Sequence, residues 1–185
     1  MVSHVKEYIK NLQKSLSIVS EAEIMSVIQV LENARENKQM IFIMGNGGSA
    51  SNASHFVNGL SQGATVKHKI RFKAISLTDN IPNLLAYGND NGYESVFVEQ
   101  LLNLLSDEDV VIGISGSGNS SNVIKAIEYA NSHNAITIGL TGFDGGVLKK
   151  IVQYSIHVPC TSMEIVEDIH LSISHLIASY FRSNS

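Results

Sequence analysis

Much of what 185 residues could carry is missing from this chain. A single cysteine, Cys160, excludes an intrachain disulfide and any zinc site made of cysteines alone. A reducing cytoplasm fits that usage. Prolines number two, Pro82 and Pro159, placed where a helix start and the end of a strand tolerate them, so no expected strand is interrupted. Charged residues are only 16%, with a formal net charge of −4 and no basic block, so neither nucleic acid nor an anionic membrane surface is expected as a partner. A phosphate ligand would have to be held by local groups. No apolar run reaches the ~18 residues of a membrane span. Polar residues His4, Lys6, Glu7 and Lys10 stand where a signal peptide would need an apolar core, so a soluble protein is expected. Repeats, low-complexity stretches and linkers are also lacking. With 44% hydrophobic residues, the length suits one domain with one well-buried core over 1–185.

Two amphipathic helices are expected first, over residues 1–38. Val5, Ile9, Leu12 and Leu16 keep helical spacing, as do Ile24, Val27, Ile28 and Leu31. Ser20 with Glu23 predicts a capping box that starts the second helix near 20, and its end falls near Asn37. Preceding any strand, these helices have no sheet to cross over. Their apolar stripes cover either a sheet face or a neighbouring subunit, and the subunit is the favoured expectation. The α/β core runs over 39–185, with strands predicted near 40–44, 72–77, 109–114, 135–140 and 153–158. Helical patterns fall near 50–61, 81–87, 93–105, 120–132 and 162–182. Alternation of this kind, with right-handed crossovers, implies a parallel sheet of about five strands covered on both faces.

Two turns carry the functional signal. The apolar run Val110–Ile114 breaks into Ser115-Gly116-Ser117-Gly118-Asn119-Ser120-Ser121 before helical spacing resumes. At such a strand-to-helix turn the first helical N–H groups are unpaired, the macrodipole is positive, and glycines allow close approach of an anion. A serine-rich loop that merely caps its own helix is an equally simple reading of this turn alone. The second turn, Gly45-Asn46-Gly47-Gly48-Ser49-Ala50, has the same form after Met40–Met44. In an open parallel sheet two such turns can close on one ligand beyond the carboxyl ends of the strands. It also satisfies G-x-G-x-x-[GA], a weak signal by itself. The acid that a dinucleotide fold needs about 20 residues on is replaced by Lys67, His68 and Lys69, with Asp79 some 30 residues on. No G-x-x-x-x-G-K-[ST] occurs. Serine and glycine turns without lysine suit a phosphate monoester on a small neutral body, such as a sugar.

The last helix adds ionisable residues. Thr161 and Glu164 form a second capping-box pattern, and Glu167, Asp168, His170 and His175 follow in an otherwise apolar segment. His55, on the helix after the glycine turn, could join them in an acid/base or divalent-metal site, although a lone histidine there is more often a buried, hydrogen-bonded structural residue. Two histidines and a carboxylate, His55, Glu167 and His175, would leave an open position for substrate oxygens.

The runs GNGGSASNASHF at 45–56, Gly88-Asn89-Asp90, GISGSGNSSNVIKAI at 113–127, LTGFDGG at 140–146 and EDIHLSISH at 167–175 together resemble the sugar-isomerase (SIS) domain family, in its phosphoheptose isomerase branch. The resemblance covers nearly the whole chain in the same order. It implies a three-layer α/β sandwich with a flavodoxin-like five-stranded parallel sheet, a homotetramer, and isomerisation of sedoheptulose 7-phosphate to D-glycero-D-manno-heptose 7-phosphate for surface-polysaccharide precursors. Matched by motif, Ser49, Ser115, Ser117 and Ser120, with Gly47, Gly48 and Gly116, would hold the phosphate. Asn46 and Asp90 would position the sugar, and His175 would serve as an acid/base group. Zinc-binding members use the matches of His55 and His175, a glutamate one turn after the first histidine and a glutamine in the last helix. Here Gly59 and Glu167 stand at the latter two positions, and Ser61-Gln62-Gly63 stands where a basic residue is expected. Glu167 is the residue that could replace the missing carboxylate. The alternative is a relative that has kept the fold and lost the chemistry, as in the SIS protein that binds the bacterial replication initiator. That group also lacks the final histidine, which His175 supplies here.

Overall fold

A computed structural model describes residues 2–183. Its centre is a five-stranded, wholly parallel sheet, β1 (Met40–Gly45), β2 (Lys73–Ser76), β3 (Val110–Ser115), β4 (Ile136–Thr141) and β5 (Tyr154–His157), in the order β2-β1-β3-β4-β5. The inner strands read as unbroken apolar runs because both their faces are covered. Alternation sorts them: Ile41, Ile43, Val110, Ile112 and Ile114 face one helical layer, and Phe42, Met44 and Val111 face the other.

The first layer holds α2 (Glu21–Glu36), α3 (Gly48–Asn58) and α8 (Met163–Ser183). The second holds α5 (Val98–Leu104), α6 (Ser121–Ser132) and α7 (Leu148–Ile151). Ser20 caps α2 by accepting the Glu23 N–H, as its sequence predicts. Contrary to the favoured expectation, α2 packs within the subunit: Val27, Ile28 and Leu31 are buried in the first layer. The other leading helix, α1 (Val2–Leu16), keeps its stripe outside, with Val5 58% and Ile9 51% exposed, and is tied to α8 by Tyr8 Oη donating to Asp168 at 2.6 Å.

Three further departures have local causes. The helix after β1 turns into a π-helical segment at Gly59–Gly63, because Gly59 and Gly63 let the chain close on Ala178 of α8. The Thr161–Glu164 box does not form; α8 begins at Met163, and the Glu164 carboxylate accepts from Ser162 at 2.9 Å instead. The helix α4 (Ile81–Asn91) buries none of its residues fully, and a 3-10 turn (Tyr93–Ser95) links it to α5. Among the described residues no helix is long and apolar enough to cross a membrane.

Candidate functional site

Strand order reverses direction between β1 and β3, and the crevice at such a switch point is where open α/β sheets bind ligands. Both signal turns meet there. Asn46, Gly47, Gly48 and Ser49 from the β1–α3 turn and Ser115, Gly116, Ser117 and Ser120 from the β3–α6 turn line one cavity of about 260 Å³. Met163 and Glu167, from the first turns of α8, complete the wall with Ile114.

The β3–α6 turn is shaped for an anion. Gly118 takes φ +67, and a Cβ there would overlap the Gly145 carbonyl. That close approach lets the Asp144-Gly145-Gly146 loop brace the turn from behind: Leu148 N donates to Gly118 O, Val147 N to Asn119 Oδ1 and Gly142 N to Gly116 O. The Oγ atoms of Ser115 and Ser120 stand 3.0 Å apart. Ser120, the N-cap of α6, makes no capping hydrogen bond through its side chain; its hydroxyl pairs with Ser115 and both face the cavity.

The two turns are latched to each other. Asn46 Nδ2 donates to Asn122 Oδ1 at 2.8 Å and Asn122 Nδ2 donates back to Asn46 Oδ1 at 2.9 Å. Tyr93 Oη donates to the same Asn46 oxygen at 2.8 Å. Asn52 Nδ2 donates to the Glu167 carbonyl at 3.0 Å and so holds α8 against α3. None of Asn52, Tyr93, Asn122 or Met163 was singled out from sequence; each partner lies tens of residues away, and no local pattern could signal it.

Glu167 points its carboxylate at the β1–α3 turn, so close that a Cβ on Gly48 would overlap both oxygens. Burial, and then the neighbouring Glu164 and Asp168 charges, raise its pKa above the usual carboxylate range. Among the described residues its carboxylate accepts no hydrogen bond. Asp90 does not line this cavity; it is exposed in the last turn of α4, where Asn89 Nδ2 donates to it.

His55 and His175 do come together, with Nε2 atoms 2.6 Å apart and rings edge to face. They line a different cavity of about 590 Å³, between α3, the π-helical segment and α8, with Gly59 and Arg182. Glu167 is eight residues before His175, a rise of ~12 Å along the helix, and so faces the other cavity. The expected His55, Glu167, His175 trio is therefore not assembled within one chain. Among the described residues no three His, Cys, Asp or Glu side chains cluster closely enough for a metal. A catalytic zinc takes at least three protein ligands; two imidazoles within hydrogen-bonding distance of each other do not fit one.

Comparison with known proteins agrees with this architecture. The pattern of the SIS domain family matches residues 6–142. The phosphoheptose isomerase of Geotalea daltonii is 38% identical over 180 residues, spanning 96% of this chain and 93% of its own length. That of Helicobacter pylori (strain P12) is 41% identical over 169 residues, spanning 90% and 85%. Among solved structures, the phosphoheptose isomerase of Neisseria gonorrhoeae superposes with a TM-score of 0.88 at 30% identity, covering 98% of this chain and 96% of that one. One from Francisella tularensis reaches 0.91 at 23% identity, covering 98% of both, and shows the shared fold. With the switch-point cavity and its two turns already placed by the fold, these likenesses show that the chain belongs to the SIS domain family, in the phosphoheptose isomerase group.

Proposed function

We propose that this protein is a ketose–aldose isomerase of phosphorylated sugars, converting sedoheptulose 7-phosphate to D-glycero-D-manno-heptose 7-phosphate. The observation that carries the reading is the single cavity in which a serine turn, with an N-cap hydroxyl that makes no capping bond, faces a carboxylate that accepts no hydrogen bond among the described residues. The turn at Ser115, Ser117 and Ser120 holds the phosphate. Glu167 takes a proton from the carbon beside the ketose carbonyl and returns it to the former carbonyl carbon, while the hydroxyl proton of the first carbon passes to the former carbonyl oxygen. A carboxylate of raised pKa suits both halves of that transfer at neutral pH. His55 and His175 line the separate cavity between α3, the π-helical segment and α8 and take no step in this transfer. Zinc has no step in this scheme, because the ligand set within one chain does not fit it.

Assembly belongs to the same reading. The exposed stripe of α1 and a groove of about 680 Å³ between α2 and α8, lined by Met25, Ile28 and Glu32, support a homotetramer. Cytoplasmic action on heptose precursors follows from the substrate and the single cysteine. Purified protein incubated with sedoheptulose 7-phosphate should form the aldose, and Glu167→Gln should lower turnover at least a hundredfold with much less effect on phosphosugar binding. Binding of phosphosugars with no turnover of any heptulose or hexulose phosphate would refute the enzyme and favour a non-catalytic binding module.

A further inference from the structure

The two glycine turns are close to equivalent as anion sites. Each follows a buried parallel strand, and each opens a helix of more than ten residues with no side-chain cap, the N-caps being Gly47 and Ser120. On backbone grounds alone, a molecule with an anion at each end could bridge them. What differs is the cover supplied by α8. Met163 and Glu167 are four residues apart and share a helix face. A Cβ on Gly116 would overlap the Met163 thioether, and one on Gly48 would overlap the Glu167 carboxylate. An uncharged side chain therefore covers the β3–α6 turn and an anionic one covers the β1–α3 turn.

We propose that Glu167 restricts this site to ligands with one phosphate on an otherwise uncharged, hydroxyl-bearing body, and excludes sugar bisphosphates and phosphorylated sugar acids. The inference rests on the phosphosugar reading above and narrows it. Glu167 occupies the positive end of α3 with its own charge, so the phosphate goes to the β3–α6 turn and the orientation of the ligand is set. Its oxygens accept no hydrogen bond among the described residues. A hydroxyl supplies the donor they lack; a second phosphate or a carboxylate does not. Glu164 and Asp168, on the same helix, add negative charge nearby, and the cavity lining holds no Lys, Arg or His. A second anion at Gly48 would meet like charge in a half-buried place with no cation to offset it.

A matched set of ligands that cannot isomerise tests this: glucitol 6-phosphate, 6-phosphogluconate, which differs only in a carboxylate at C1, and glucitol 1,6-bisphosphate. Calorimetry on the intact protein should show glucitol 6-phosphate binding about thirtyfold or more tighter than either ligand with a second anionic group. Glu167→Gln, of the same shape, and Glu167→Ala, which removes the polar group altogether, should each narrow that ratio to within about threefold. Equal binding of the three ligands by the unaltered protein, or a ratio that survives in both variants, overturns the inference and leaves the isomerase reading standing. Failure of glucitol 6-phosphate itself to bind at millimolar concentration removes both.

Discussion

Acidification should destabilise this protein through one buried histidine. His170, on α8, is fully buried, its Nε2 faces the Thr141 carbonyl at 3.3 Å, and its Nδ1 has no partner among the described residues. The carbonyl accepts, so Nε2 carries the proton and the ring is neutral. Burial lowers its pKa from the ordinary 6.5 to about 4, the Thr141 carbonyl opposes the shift, and nearby His157 adds to it. A lowered pKa means that the unfolded chain binds the proton first. The stabilisation is therefore complete above pH 6.5 and is lost as pH falls toward 4. Over that interval, at roughly 1.4 kcal/mol per pH unit, the loss amounts to about 3 kcal/mol, most of it reached by pH 4.5. Denaturant unfolding at several pH values, for the unaltered protein and His170→Gln, isolates the effect, since carboxylate titrations common to both cancel in the difference. Glutamine can still donate to Thr141 and does not titrate. The variant should start less stable at pH 7, and the gap should close by about 2 to 3 kcal/mol at pH 4.5. A gap that is the same at both pH values would refute the reasoning.

Three other outcomes are expected. Ser117→Ala or Ser120→Ala removes a donor to a charged acceptor, worth ~1.5–3 kcal/mol or roughly tenfold to a hundredfold in phosphosugar affinity by calorimetry; affinity within twofold in both variants would place the phosphate elsewhere. Gly59→Glu sets a carboxylate four residues after His55, where a Cβ meets only Ala178 at 3.3 Å, and should raise zinc affinity at least tenfold in equilibrium dialysis; no gain would show that the histidine pair does not face that position. Light scattering should give four chains per particle, and Val5→Glu with Ile9→Glu on the exposed face of α1 should reduce that number; a monomer in the unaltered protein would remove the tetramer.

The strands were legible because each is a short apolar run bounded by turn residues, and all five lie within about two residues of their predicted bounds. The two turns were legible as strand-to-helix turns for the same reason, since glycine and serine break each apolar run, and the parallel sheet then brings both to one crevice. Periodicity placed Glu167 and His175 on one helix but could not assign them to separate cavities, since that depends on which element α8 meets at each height. The packing of α2 was misjudged because an apolar stripe has the same pattern whether it meets a sheet or another subunit. The short helix α7 and the bracing of Gly118 by Gly145 were also invisible, since four residues carry no period and a backbone contact leaves no side-chain signature.

The Asn46–Asn122 latch places a constraint on how the sequence can change. Each side chain must donate and accept at the same time, and Asn122 Oδ1 also accepts from the Val123 N–H at 2.9 Å. Aspartate at either position loses the donor, and leucine leaves its partner's Nδ2 without an acceptor. A longer glutamine would push the turns apart. Positions 46 and 122 are therefore expected to vary as a pair or not at all, and a lineage that abandons one asparagine must rebuild the mouth of the crevice before it can bind the same ligand again.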